Sequence, residues 1–88
     1  MAAVQIKVTM KNGTGMGIFV KVEDNTYHFS QSGIQPLNLD PDDYISTVGG
    51  HEPTTASVTI QFVEGNNVLA EQSFSSPVFF GYIPFTVN

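Results

Sequence analysis

The sequence predicts an all-β domain, a single small antiparallel β-sandwich of immunoglobulin-like type with seven or eight strands. A small β-barrel is the alternative. Three observations support this fold class. Apolar and polar residues alternate with a period of two along most of the chain. Turn-forming residues recur at intervals of roughly ten residues, and no stretch shows convincing helical periodicity. A chain of 88 residues forms one modest core, so residues 1–88 are predicted to be one domain.

The N-terminal quarter predicts a β-hairpin. Residues 4–10 and 16–22 each alternate apolar with polar side chains, as half-buried strands do. Asn12-Gly13 supplies the positive φ that a tight turn requires. The two stretches are therefore predicted to pair with each other.

Three further extended segments are predicted in the middle of the chain, at residues 26–30, 34–39 and 44–48. The second of these contains Pro36, which cannot donate a ladder hydrogen bond, so we expect an edge strand. An Asp-Pro turn precedes the third segment. Gly49-Gly50 is predicted to end it.

The C-terminal part predicts a second hairpin and a final strand. Residues 56–63 and 68–74 alternate on either side of a turn, and a short helix over residues 68–73 is the competing interpretation. The flanking β-branched and aromatic residues favour a strand. The last strand lies within residues 76–88.

The distribution of charge excludes two classes of partner. The chain has a net charge of −5, with three lysines and no arginine, and its cations are confined to the first quarter. Nucleic-acid binding requires a basic footprint that neutralises phosphates, so we expect no nucleic-acid partner. Anionic membrane surfaces are disfavoured for the same reason.

The cysteine count, the N-terminal sequence and the length of the apolar runs bear on the compartment of the protein and on membrane insertion. No cysteine is present, which excludes disulfides and cysteine-based zinc sites. No charged leader followed by an apolar stretch is visible at the N-terminus. The longest apolar run, residues 78–87, is about half the length of a membrane-spanning helix, so no membrane insertion is expected. Scarce lysine with abundant Asn, Thr, Ser and Gly favours an extracellular or bacterial cell-surface location over the cytoplasm.

Neither catalysis nor a cofactor is predicted. The two histidines, His28 and His51, are accompanied by no nucleophile motif. Asp40, Asp42 and Asp43 cluster in one segment, but their spacing does not match a calcium loop, and an Asp-Pro turn explains them without a metal.

Residues 39–50, LDPDDYISTVGG, resemble a segment of carboxypeptidase-regulatory-like and related bacterial surface β-sandwich modules. The matching residues are Leu39, Pro41, Tyr44 and Gly49, and Asp42 departs from the pattern, which has glycine there. The resemblance covers about a dozen residues and implies a non-enzymatic accessory or adhesion-type domain. It carries over no catalytic residue.

The C-terminal segment is apolar on both faces of the predicted strand. Alternation places one set on one face, Val78, Phe80, Tyr82 and Pro84, and another set opposite, Phe79, Gly81, Ile83 and Phe85. An antiparallel sandwich strand normally has one polar face, so the second face requires a cover. Covering by a loop of the same chain is one explanation, and an interface is the other.

Three functions are therefore considered. The leading hypothesis is a non-catalytic module that binds protein, either a second copy or another partner, through Phe79, Tyr82 and Phe85. A carbohydrate-binding module that uses Tyr27 and Tyr82 as stacking platforms is the second. A small peptidase inhibitor that presents the loop of His51 and Glu52 is the third.

Overall fold

The structure, a computed structural model, describes residues 2–11, 17–51, 56–76 and 78–88. These residues form eight strands: β1 (Ala2–Lys11), β2 (Gly17–Val22), β3 (Asn25–Phe29), β4 (Gly33–Leu39), β5 (Asp42–His51), β6 (Ser57–Glu64), β7 (Asn67–Phe74) and β8 (Val78–Val87). The strands make two four-stranded sheets, here sheet 1 in the order β4-β1-β6-β7 and sheet 2 in the order β3-β2-β5-β8. All pairs are antiparallel. The predicted antiparallel β-sandwich of seven or eight strands is confirmed, and the number of strands is eight.

The predicted N-terminal hairpin is wrong. β1 pairs with β4 and β6 in sheet 1, whereas β2 pairs with β3 and β5 in sheet 2. The chain therefore passes from one sheet to the other between Lys11 and Gly17, and the predicted Asn12-Gly13 turn lies outside the described residues. Period-two alternation shows that each strand buries one face, but it does not identify the neighbouring strand.

The second predicted hairpin is confirmed, and the competing helix is not formed. β6 and β7 pair across a turn at Gly65 and Asn66, with a register shift between Phe62 and Val63. Gly65 has a φ of 61°, a conformation that is costly for an L side chain and that suits a two-residue hairpin turn.

Two further predictions concern the middle strands. β4, which contains Pro36, lies at the edge of sheet 1 as expected. The prediction that Gly49-Gly50 ends the fifth strand is wrong, because β5 continues to His51. At Gly50, with a φ of 147°, a Cβ atom would lie 2.1 Å from the carbonyl oxygen of Gly17. These glycines therefore permit close strand contact instead of terminating the strand.

The core fills the space between the sheets with alternate residues of the strands. Phe62 of sheet 1 stacks on Phe85 of sheet 2 with ring centroids 4.2 Å apart, and Tyr44 also stacks on Phe85, at 5.3 Å. The buried hydroxyl of Ser46 donates a hydrogen bond of 3.0 Å to the carbonyl of Lys21. Aromatic packing between the two layers thus joins them, as the period-two pattern requires.

Candidate interaction surface

Strand β8 carries one apolar row inside the core and a second on the outer surface. Its inward residues are buried, namely Phe79, Ile83, Phe85 and Val87, and its outward residues are exposed, namely Val78, Phe80, Tyr82 and Pro84. The predicted division of the strand into two apolar faces is confirmed. The sandwich covers only the first of these faces.

Phe79 and Phe85 do not lie at the surface, which corrects the predicted set of anchors. Phe79 is 7% exposed and stacks on Phe74 at 4.4 Å, and Phe85 is 4% exposed within the Phe62–Tyr44 stack. Both rings face sheet 1, because residues of their parity point inward along the strand. A partner cannot reach either ring without unfolding the domain.

Tyr82 is exposed, as the binding hypothesis requires, and it is accompanied by Phe80. The two side chains are 61% and 63% exposed, and their rings meet edge to face with centroids 5.6 Å apart. The alternation predicts Phe80 on this face, but the predicted anchors do not include it. Their two-residue spacing on one strand was the signal that could have identified the pair.

Phe19 extends the exposed aromatic cluster onto β2, and sequence reasoning missed it. The register aligns Phe19, Gly49 and Phe80 in one row across the sheet. A Cβ atom at Gly49 would lie 2.9 Å from the Phe19 ring, so this ring lies over the glycine, and its centroid is 6.5 Å from that of Phe80. The absent side chain of Gly49 therefore lets aromatics from non-adjacent strands approach each other.

Aliphatic residues surround this cluster. Val78 is 76% exposed, Ile45 is 68% exposed, and Pro84 pairs with Ile45 in the register. We define the aromatic face as the outer surface of sheet 2 formed by Phe19, Ile45, Val78, Phe80, Tyr82 and Pro84. Among the outward strand residues of sheet 2, only Lys21 and Asp43 carry a formal charge. Asp43 accepts a 2.7 Å hydrogen bond from the Thr86 hydroxyl.

Tyr27 lies elsewhere, at the opening between β3 and β4. Its side chain is half-buried and packs against the core. It lines a groove of about 440 Å³ that also includes Glu23, Asp24, Asn25 and Asn38. Tyr27 and Tyr82 are on different surfaces, because the Tyr27 side chain points toward the inside of the sandwich and the Tyr82 side chain points away from it. They do not form one sugar-binding platform.

The predicted loop candidates are only partly described. His51 is exposed at the end of β5, and its Nε2 atom lies 3.0 Å from where a Cβ of Gly17 would be, so the imidazole covers that glycine. Glu52 lies outside the described residues.

Carboxylates collect at the end of the sandwich where β5 begins. The Tyr44 hydroxyl donates a 2.6 Å hydrogen bond to the carbonyl of Asp40. Burial, and then the nearby carboxylates of Glu23, Asp42 and Asp40, raise the pKa of Tyr44. The Asp42 side chain accepts a 2.7 Å bond from the amide of Asp43. Within residues 2–11, 17–51, 56–76 and 78–88, no group of three or more His, Cys, Asp or Glu side chains could hold a metal ion.

No protein-family model, curated protein or solved structure matches the chain. The resemblance of residues 39–50 to carboxypeptidase-regulatory-like modules, and the immunoglobulin-like type of the sandwich, therefore stay predictions. The part of the chain that the structure describes contains no helix long and apolar enough to cross a membrane.

Proposed function

We propose that this domain is a non-catalytic interaction module that binds protein through the aromatic face. The observation that carries this proposal is the contiguous outer cluster of exposed Phe80 and Tyr82 with half-buried Phe19, bordered by exposed aliphatic side chains. Aromatic residues dominate the binding energy of protein interfaces. A contiguous apolar patch on a soluble domain indicates a binding surface.

The proposal concerns the face of the sheet and not its free edge. β8 is an edge strand of sheet 2, so it could in principle pair with a strand of another chain. Pro84 has no backbone N–H, and a proline in an edge strand has this missing donor on the unpaired side of the strand. The free edge of β8 therefore lacks one of the N–H groups that a further strand would need. Pairing along the full edge is thereby disfavoured, whereas the face offers a cluster of apolar side chains from three strands.

A photo-crosslinking phenylalanine analogue in place of Tyr82 tests the proposal. The matched control carries the same analogue in place of Ile34, which is 55% exposed on the outer face of sheet 1. Both variants are irradiated in an extract of the source cells and analysed by mass. We expect protein adducts, either with a second copy or with another protein, predominantly from position 82. Equal yields from both positions would contradict the proposal.

Carbohydrate binding is a second candidate function, now assigned to the groove beside Tyr27. The groove volume of about 440 Å³ lies within the range of about 300–1,000 Å³ typical of small-molecule sites. One aromatic ring, two amides and two carboxylates are suited to recognising the apolar face and the hydroxyls of a sugar. Polysaccharide affinity electrophoresis of wild type and Asn38→Ala tests this idea, with Thr86→Ala, outside the groove, as control. Unchanged mobility of wild type on every polysaccharide tried would remove this candidate.

A further inference from the structure

We infer that the partner of the aromatic face is a second copy of this chain, packed face to face with its strands antiparallel to those of the first. The inference rests on the proposed function and specifies the partner of the same surface. Two observations carry it, the arrangement of side chains in adjacent rows and the position of the negative charge.

The first observation is that two neighbouring rows of the face complement each other. Across β2, β5 and β8 one row contains Phe19, Gly49 and Phe80, and the next contains Lys21, Thr47 and Tyr82. On β3, His28 continues the first row and Thr26 continues the second. A two-fold axis that runs across the strands between these rows exchanges them. Each copy then presents one row to the other row of its partner, which is the self-complementarity that an isologous interface requires.

The contacts that result are chemically matched. Phe80 of one copy meets Tyr82 of the other, and aromatic pairs of this kind are favourable beyond their buried area. Phe19 meets Lys21, the one cation among the outward strand residues of sheet 2. An ammonium group over a desolvated ring is stabilised by a cation–π interaction. Lys21 is therefore compatible with burial in this interface, whereas a flat apolar partner would leave it without a complement.

The second observation is that the carboxylates are concentrated at one end. The chain has a net charge of −5, so two copies repel each other wherever their acidic groups approach. Glu23, Asp40 and Asp42 all lie close enough to Tyr44 to raise its pKa, and Asp24 follows Glu23 in the same turn. A parallel arrangement would superimpose these acidic ends. The antiparallel arrangement places them at opposite ends of a molecule whose longest dimension is 37 Å, well beyond the Debye length of about 8 Å at physiological salt.

Molar mass by light scattering over a hundredfold concentration range tests the identity of the partner. We expect the mass to rise from the monomer value of 9.5 kDa to twice that value. The double variant Phe80→Ser/Tyr82→Ser should raise the dissociation constant by roughly a hundredfold. The matched control Ile34→Ser, on the outer face of sheet 1, should leave it unchanged. Thermal unfolding of every variant verifies that the fold is retained. If the double variant does not fold, Lys21→Glu replaces it, and we expect this variant to raise the dissociation constant about tenfold.

A single spin label tests the orientation. The chain has no cysteine, so Asp24→Cys provides a unique attachment site in the acidic turn. The two-fold axis passes beside Val20, four residues from Asp24, so at about 3.3 Å per residue the two labels in the antiparallel dimer should be roughly 26 Å apart along the strands. A much shorter distance would overturn the antiparallel arrangement.

The outcomes separate this inference from the proposed function. A wild-type mass of 9.5 kDa at every concentration overturns the second-copy inference. In that case an adduct of a different protein at position 82 would still support the proposed function. A dimer that dissociates equally with Ile34→Ser, or that the aromatic-face variants leave intact, overturns the assignment of the surface and therefore both proposals.

Discussion

The two outer faces of the sandwich are each formed by four antiparallel strands, but they differ in chemistry. On sheet 1, Thr59 and Ser73 hydroxyls form a 2.9 Å hydrogen bond, and the amide of Gln61 donates to the carboxylate of Glu71. On sheet 2 the equivalent positions carry the aromatic face. Among the described residues, four of the six exposed large hydrophobic ones lie in sheet 2, and these include both aromatic ones. The sandwich thus has one outer surface suited to water and one suited to contact with another apolar surface.

The difference shows that the aromatic face is not required by the fold. The inner faces of both sheets bury continuous apolar rows. The exterior of sheet 1 carries polar pairs, with exposed Ile34 and Val68 separated on its two edge strands. Stability therefore needs apolar residues on one side of each strand only. The second apolar side of β8 requires a reason outside the core, which is the basis of the proposed interaction.

The largest expected effect distinguishes the two faces of β8. Phe85→Ala should lower the free energy of unfolding by about 3–5 kcal/mol, because it leaves a cavity in the core stack. Phe80→Ala, on the exposed face of the same strand, should change it by about 0.5 kcal/mol or less in the monomer. Urea denaturation at low protein concentration measures both. Similar losses for the two variants would show that the exposed face contributes to the fold, and the comparison of faces would fail.

A smaller effect is expected at the glycine beneath the aromatic face. Gly49→Ala places a methyl group 2.9 Å from the Phe19 ring and 3.1 Å from the carbonyl oxygen of Phe79. Overpacking of this kind costs about 1–3 kcal/mol. The variant should also displace Phe19 from Phe80, which the chemical shifts of the two rings would report. The control Thr47→Ala, on the same face and strand, should have little effect on either measurement.

The stability of the protein at alkaline pH tests the acidic end of the sandwich independently of its two outer faces. The pKa of Tyr44 is raised in the folded state, so below its ordinary value of about 10 the folded and unfolded proteins both hold the proton. As the pH rises above that value, the unfolded state loses the proton first, and stability falls. We expect unfolding midpoints to decrease above pH 10, and Tyr44→Phe to reduce this decrease. An identical decrease in the variant would show that other groups cause it.

The smallest effect belongs to the polar face. Thr59→Ala and Ser73→Ala should each cost about 0.5–1 kcal/mol, because the exposed hydroxyl pair gains little over hydration. A double-mutant cycle isolates their interaction, which should lie below about 1 kcal/mol. A coupling energy several times larger would mean that the polar face is a structural element in its own right.

Residues 39–50, which resemble a segment of bacterial surface modules, run from the end of β4 into β5. Leu39 ends β4, Tyr44 lies in β5 and bonds to the carbonyl of Asp40, and Gly49 lies within β5. A tyrosine that closes its own turn is a local device that unrelated sandwiches can share. The aromatic face is formed mainly by other residues, so the proposed function does not depend on the resemblance.

The sequence by itself determined the secondary structure and, for most strands, which alternate residues lie on the same face. Alternation with a period of two identifies which residues of β1, β2 and β6 are buried, because a strand in a sandwich has one face on the core. It also divided β8 into its two apolar rows. It identified the β6–β7 hairpin, where partners adjacent in sequence are joined by a short turn.

Only the tertiary structure decided which strands are neighbours and which apolar row is exposed. Period-two alternation is unchanged when a strand changes partner, so the pairing of β1 with β6 instead of β2 left no local signal. For the same reason, the sequence could not tell whether Phe79 and Phe85 or Phe80 and Tyr82 face the core. Phe19 and Phe80 are far apart in sequence and meet only because β5 lies between their strands with Gly49 in the shared row. A binding surface assembled from several strands depends on register, and long-range pairing sets the register.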